Sequence, residues 1–158
     1  MATTSNTAAR QATAELENAD TTCGATRHVP PTDGASMHIC LITETYPPEI
    51  NGVALTVRAL ARSLAGFGHR VCLIRPRQPD TTVGDPPEFD ELLVPGAALP
   101  RYPGLRFGMP VVGRIRDSWQ RQRPDAVYAA TEGPLGWAGV RVARRLGIPV
   151  ATGFHTRF

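Results

Sequence analysis

Two short apolar runs flank the most regular helical pattern in the chain. Met37 to Thr43 and Val71 to Ile74 are almost continuously apolar, as expected for strands covered on both faces. Between them, apolar residues recur at spacings of four and three, which predicts an amphipathic helix ending at Gly66 and Gly68. Its predicted inner face consists of Val53, Val57, Leu60, Leu64 and Phe67. The pattern therefore predicts a βαβ unit.

The second half of the chain continues this alternation after a long interruption. Prolines and glycines are dense from Arg75 to Gly108, which predicts mostly loop, with one short strand at Glu91 to Val94. Further elements are then predicted: a helix opened by Pro110 with Val112, Ile115 and Trp119 inside, a strand from Ala126 to Ala130, a helix with Leu135, Ala138, Val142 and Leu146 inside and closed by Gly147, and a strand from Ile148 to Phe154. Strands alternating with helices predict an α/β fold, a Rossmann-like doubly wound parallel sheet with right-handed crossovers.

Length and composition limit how this fold is organised. With 158 residues, 42% of them apolar and 20% charged, the chain is suited to one globular domain. Residues 1–36 show no sustained periodicity and are predicted to be a disordered tail, so the folded domain is expected over 37–158. No apolar run approaches the roughly 20 residues of a membrane span, and the N-terminus lacks a secretory signal, which favours a cytoplasmic protein.

The excess of positive charge limits the kinds of ligand and surface that the chain is expected to bind. All 17 basic residues are arginine, and 15 of them follow residue 36 against 10 acidic residues, a formal charge of +5. Arginine suits phosphate, so a phosphate-bearing ligand or peripheral contact with an anionic membrane is expected, although ordinary solvated charges give the same count. The chain has no basic motif interleaved with aromatic residues, so the sequence does not indicate nucleic-acid binding. Three cysteines without metal-ligand spacing predict no metal site, and Cys40 and Cys72 are expected to be buried thiols.

Three loops follow predicted strand ends and should emerge at one edge of the sheet: Glu44 to Gly52, Thr131 to Pro134, and His155 onward. At Asn51 and Gly52, the missing Cβ would let a phosphate approach the N–H groups of the helix N-terminus. An alternative is an ordinary N-cap followed by a turn glycine. The nucleotide-binding motifs GxGxxG and GxxxxGK[ST] are absent.

Other polar residues in these loops have open roles. Glu132 can bind a sugar hydroxyl or assist proton transfer, or it is a solvated or helix-capping carboxylate. His155 can bind a phosphate or hydroxyl, or serve structure alone. Trp119 and Trp137 occupy helical positions and are expected to pack in or beside the core rather than to stack on a ligand.

Four strings in order resemble the N-terminal domain of glycosyltransferase family 4. They are TETYPPEINGVA at residues 43–54, GHRV at 68–71, ATEGPLG at 130–136 and GFHTRF at 153–158. Within the family they are most similar to bacterial GDP-mannose-dependent α-mannosyltransferases and glycolipid glycosyltransferases. The resemblance covers about residues 37–158. It implies the acceptor-side half of a GT-B fold, in which two Rossmann-like domains face a cleft, and hence an apparently truncated chain.

The resemblance also implies a chemistry. It implies retaining sugar transfer without metal or cofactor, from a nucleotide-sugar donor to a lipid or glycan acceptor. GDP-mannose is the favoured donor, and a UDP-sugar is the alternative. The loop matching Asn51, Gly52 and Val53 would close over the donor diphosphate. Thr131 stands where many members have a catalytic-region histidine, with Glu132 next to it, and His155 matches a histidine beside the same cleft. The expected function is therefore that of a glycosyltransferase fragment, inactive alone. The alternative is a stand-alone Rossmann-like module that binds a phosphorylated ligand or a partner subunit.

Overall fold

The computed structural model describes residues 34–78, 88–98 and 106–153. The expected tail, apart from residues 34–36, and His155 lie outside these ranges, so both remain predictions. Within the described ranges the elements are β1 (His38–Ile42), α1 (Gly52–Gly66), β2 (Arg70–Pro76), β3 (Asp90–Val94), β4 (Gly96–Ala98), β5 (Arg106–Gly108), α2 (Val112–Arg121), β6 (Ala126–Ala129), α3 (Pro134–Arg145) and β7 (Val150–Thr152). The predicted alternation of strands and helices is confirmed.

Five strands form one parallel sheet in the order β3-β2-β1-β6-β7. The chain builds outward from β1 to β3 and then returns to the other side of β1 to continue with β6. Strand β1 is therefore the centre of the sheet, with Cys40 between Cys72 of β2 and Val127 of β6. This is the doubly wound parallel topology that the alternation predicts.

The continuous apolar run of β1 is explained by layers on both faces of the sheet. Cys40 and Ile42 pack with buried side chains of α2 and α3, whereas Leu41 packs with Val57 and Ala61 of α1. Because successive strand side chains alternate between faces, a central strand covered on both sides needs apolar residues at every position. Gly68 (φ +85°) and Gly147 (φ +62°) end α1 and α3 in the left-handed region, as predicted.

The inner face of α1 differs from the prediction. Its buried residues are Ala54, Val57 and Ala61, while Val53, Leu60 and Leu64 are only partly buried against the same cluster. Phe67 is 44% exposed, so its predicted place inside is wrong. Small residues mark the line along which a helix axis comes nearest to a sheet, and counting only large apolar residues shifts the expected face.

Two further expectations need correction. The segment from Arg75 to Gly108 contains a small antiparallel pair, β4 with β5, besides the predicted strand β3. Each strand of this pair has three residues, one of them glycine, which is too few to show the alternation of apolar and polar residues that predicts a strand. Trp119 is buried in the core as expected, but Trp137 is 55% exposed. The Cζ atom of Arg141 lies 5.2 Å from the centroid of the Trp137 ring.

Candidate functional site at the carboxyl edge of the sheet

The strand order places a crevice at the carboxyl ends of β1 and β6. The chain leaves these neighbouring strands toward opposite sides, and ligands of open parallel sheets bind at such a reversal. Two loops meet there, residues 43–51 after β1 and residues 130–133 after β6. The Ala130 N–H donates to the Ile42 carbonyl (2.8 Å), and the Glu44 N–H donates to the Thr131 hydroxyl oxygen (2.9 Å). Two of the predicted loops are therefore joined directly.

Glu44 is a buried carboxyl group in the crevice, and both of its oxygens are held by backbone groups. It is 8% exposed, and its Oε1 accepts from the Leu135 N–H in the first turn of α3 (2.8 Å), while Oε2 accepts from the Gly108 N–H of β5. Burial raises the pKa of Glu44 above its ordinary value, although backbone N–H groups of Gly108, Leu135 and Gly136 oppose this. A carboxylate from the loop after β1 therefore already occupies the positive end of α3.

The residues around this carboxylate are small because it lies against the backbone. A Cβ at Gly133 would overlap the Glu44 carboxylate, and one at Gly108 would overlap the Leu135 side chain. A Cβ at Gly136 would overlap the Thr131 carbonyl oxygen. Gly133 is also the N-cap of α3 and offers no side-chain acceptor. Gly133 makes room for Glu44, which supplies the cap that Gly133 lacks, whereas Gly108 makes room mainly for Leu135 and Gly136 for the Thr131 carbonyl.

Asn51 is the N-cap of α1. Its Oδ1 accepts from the Ala54 N–H (2.8 Å), and its Nδ2 donates to the Thr45 hydroxyl oxygen (2.6 Å), which in turn donates to Glu49. The capping alternative is thereby confirmed for the Asn51 side chain. The role of this side chain in diphosphate binding, as distinct from the backbone beside it, remains a prediction.

Gly52 and Val53 begin α1 and remain compatible with the predicted diphosphate contact. Gly52 is exposed, its φ lies outside the left-handed region, and a Cβ there would meet no atom within 4 Å. Among the described residues the N–H groups of Gly52 and Val53 have no hydrogen-bond partner, and the first turn carries no acidic residue. This helix end, unlike that of α3, is not occupied by a carboxylate of the described chain.

The predicted catalytic residues are brought only partly together. Thr131 is half-buried and joins the two loops through its hydroxyl, whereas Glu132 is exposed at the same edge. His155 lies outside the described residues, so its position beside them stays a prediction. Among the described residues no group of three or more His, Cys, Asp or Glu side chains could hold a metal ion.

Glu44 is the residue that sequence reasoning missed. It belongs to a predicted ligand loop, but the sequence alone assigns it no role. Two sequence features point to it in retrospect: an acidic residue closely follows a buried strand, and a predicted helix opens on Gly133-Pro134, neither of which has a side chain that can cap it.

Comparison with known proteins agrees with this geometry. The family model "Glycosyltransferase Family 4" matches residues 50–158. A GDP-mannose-dependent alpha-mannosyltransferase of Mycolicibacterium smegmatis is 32% identical over 130 residues, covering 76% of this chain and 32% of that protein. An alpha-monoglucosyldiacylglycerol synthase of Streptococcus pneumoniae is 29% identical over 122 residues, covering 77% of this chain and 27% of that protein. The chain thus spans less than a third of the length of either relative.

Solved structures support the fold. A glycosyltransferase from Rickettsia africae superposes with a TM-score of 0.54 at 16% identity, over 79% of this chain and 31% of that one. A C-terminal domain of a Pyrococcus furiosus hydrogenase reaches 0.51 at 15% identity, over 79% of this chain and 97% of that one. The fold alone is therefore shared beyond glycosyl transfer.

The chain has the α/β fold of one Rossmann-like domain of a GT-B glycosyltransferase. It belongs to glycosyltransferase family 4. None of the helices in the described residues is long and apolar enough to cross a membrane.

Proposed function

We propose that this chain is the acceptor-side domain of a retaining glycosyltransferase that transfers mannose from GDP-mannose to a lipid or glycan acceptor. The observation that carries the proposal is the exposed start of α1, where Gly52 leaves open space and two backbone N–H groups have no hydrogen-bond partner among the described residues. A helix N-terminus of this kind favours an anionic group, here the donor diphosphate. The similarity to an alpha-mannosyltransferase favours mannose as the sugar.

The remaining roles follow from the same proposal. Asn51 holds the loop in place, and the Gly52 and Val53 backbone binds the diphosphate as the leaving group departs. Thr131 and Glu132 line the sugar side of the crevice, and the family resemblance makes His155 a third candidate for the sugar site. The reaction uses no metal and no cofactor, because protein groups such as the backbone N–H groups at the start of α1 stabilise the charge of the diphosphate. With a lipid acceptor, the excess of arginine favours peripheral contact with the anionic inner face of the cell membrane.

A domain exchange tests the proposal. In the Mycolicibacterium smegmatis relative, the segment that aligns with this chain is replaced by residues 37–158. We expect the chimera to transfer mannose from GDP-mannose to a lipid extract, because the exchanged domain supplies the donor loop and the acceptor site. A matched chimera that carries the aligned segment of the Streptococcus pneumoniae relative controls for damage caused by the junctions.

The outcomes separate the two hypotheses for the chain. Transfer by the chimera supports the enzyme domain. A folded chimera without transfer, beside an active matched chimera, would reject it in favour of a separate binding module.

A further inference from the structure

A second cavity opens at the carboxyl edge, beside β2 and β3 rather than between β1 and β6. It has a volume of about 470 Å³ and is lined by Arg77, Gln78, Arg106 and Arg114, together with the chain from Leu93 to Gly96. We call it the arginine pocket. It adjoins the first loop of the candidate site, because Gln78 Nε2 donates to the Tyr46 carbonyl (2.8 Å).

The pocket is strongly positive. Three guanidinium groups line it, and no carboxylate does so among the described residues. The ion pairs of the described chain use other arginines, namely Arg58, Arg62, Arg70, Arg75 and Arg116. Arg106 is held in place because its Nη2 donates to the Gly96 carbonyl (2.8 Å), while its buried Nε has no partner in the described part of the chain. The three guanidinium groups therefore line the pocket without an ion pair to any described carboxylate.

Gln78 is a second, independent observation that points to a ligand. It is only 5% exposed, yet its buried Oε1 accepts no hydrogen bond from the residues that the structure describes. The bond from Nε2 to Tyr46 fixes the amide so that the oxygen cannot exchange places with the nitrogen. A buried acceptor without a donor is destabilising, and a ligand hydroxyl would satisfy it.

We propose that the arginine pocket binds a phosphate ester that carries free hydroxyl groups. The guanidinium forks suit the non-ester oxygens and the negative charge of a phosphate ester, and the Gln78 oxygen accepts from a neighbouring hydroxyl. The ester is either a soluble small molecule or a lipid head group. The identification of this ester as part of the sugar acceptor rests on the proposed function. The proposal that the arginine pocket binds such an ester does not depend on that function.

Titration calorimetry of the 158-residue chain tests the site with glycerol 3-phosphate as probe. Inorganic phosphate and glycerol test the two halves of the recognition separately, and vesicles of phosphatidylcholine with and without phosphatidylglycerol test the lipid source. We expect glycerol 3-phosphate or phosphatidylglycerol vesicles to bind, and glycerol not to bind. Glycerol 3-phosphate should bind more tightly than inorganic phosphate, because only the ester reaches Gln78 with a hydroxyl.

A matched pair of variants shows where the probe binds. Arg77→Gln with Arg114→Gln removes two exposed pocket charges, and binding should weaken by roughly tenfold for each charge-assisted hydrogen bond that is removed. Arg121→Gln with Arg144→Gln removes two exposed charges at the C-terminal ends of α2 and α3, toward the opposite edge, and binding should not change. Circular dichroism confirms that both variants are folded.

The proposal is overturned if neither the soluble probe nor the vesicles bind, or if both double variants weaken binding equally. Equal affinity for inorganic phosphate and glycerol 3-phosphate would overturn the assignment of Gln78. The binding measurement needs no sugar transfer, so an inactive chimera would leave the pocket standing. Conversely, an active chimera with no probe binding would reject the pocket alone.

Discussion

At the scale of single residues, Glu44 has the largest structural consequence. Its carboxylate connects the end of β1 with β5 and α3 through backbone N–H groups, so one side chain sets the relative positions of three elements around the crevice. The same residue also keeps the start of α3 from binding an external anion. The start of α1 remains the free positive helix end in the described part of the crevice.

Glu44→Gln should destabilise the fold. The glutamine amide can accept from one of the two N–H groups but must turn its own NH₂ toward the other, which leaves a buried donor unpaired. We expect the free energy of unfolding at neutral pH, measured by urea titration, to fall by about 1 to 3 kcal/mol. Glu132→Gln makes the same chemical change at an exposed position and should stay within about 0.5 kcal/mol of the parent. Equal effects of the two variants would contradict the role of Glu44.

The pH dependence of the same pair of proteins provides a second measurement. Because burial raises the pKa of Glu44 in the folded state, the folded protein binds this proton more tightly than the unfolded chain does. The stability of the parent relative to Glu44→Gln should therefore increase as the pH falls through the raised folded pKa. The difference should level off below the unfolded pKa of about 4.3. A difference that shrinks with falling pH would show that the folded pKa is lowered instead.

Gly52→Val tests the diphosphate contact, in the mannose-transferring chimera. The site is open and the backbone is not left-handed, so the fold should tolerate the side chain. The branched group would, however, keep the diphosphate away from the α1 N–H groups. We expect kcat/KM for GDP-mannose to fall roughly tenfold to a hundredfold, as for the removal of a charge-assisted hydrogen bond.

Gly66→Val is the control for this variant. It makes the same change at the opposite end of α1, where a Cβ also meets no atom within 4 Å. Its donor kinetics should match the parent. If Gly52→Val retains normal donor kinetics, the start of α1 does not bind the diphosphate.

At the scale of elements, the distance between α1 and the sheet is set by alanines. Ala54 and Ala61 are completely buried, and Ala61 packs in one cluster with Val57 of the same helix and with Leu41 and Leu73 of the sheet. Larger apolar residues lie along the sides of the helix, where they cover the edges of the contact.

Ala61→Leu should therefore overpack this contact. The added atoms would have to displace side chains between α1 and the sheet, and we expect a decrease of about 1 to 3 kcal/mol in the free energy of unfolding. Ala59→Leu makes the same change on the exposed side of α1 and should alter stability by no more than about 0.5 kcal/mol. Comparable decreases would mean that Ala61 does not face the sheet.

At the scale of the whole molecule, the chain covers 32% of the mycobacterial relative and 27% of the streptococcal one. A GT-B enzyme works in a cleft between two Rossmann-like domains, and the described residues form one such sheet. We expect stabilisation of the departing diphosphate to need charged or polar groups from the second domain as well.

The 158-residue chain alone should therefore show no sugar transfer from GDP-mannose or UDP-glucose. Incubation with each labelled donor and a lipid extract, followed by thin-layer separation of the products, measures this directly. The chimera under the same conditions is the positive control. Turnover by the chain alone would show that it contains a complete active site.

Local patterns in the sequence determined most of the architecture. Apolar runs marked β1, β2 and β6, helical spacing marked α1 to α3, and Gly68 and Gly147 marked helix ends, because each of these signals depends on residues close together in the chain. The exposed start of α1 followed from the Asn51-Gly52 pair. Four short sequence strings predicted the family, and the match of the family model confirms that the chain belongs to it.

Only the tertiary structure decided what depends on residues far apart in the chain. The pairing of Glu44 with backbone groups 64 and 91 residues away, the close approach of α1 through its alanines and the convergence of Arg77, Arg106 and Arg114 on one pocket leave no periodic trace in the sequence. A buried carboxylate and an exposed one are the same letter. Which of them is held by backbone N–H groups is set by the chain order of the sheet, which brings the end of β1, β5 and the start of α3 to one place.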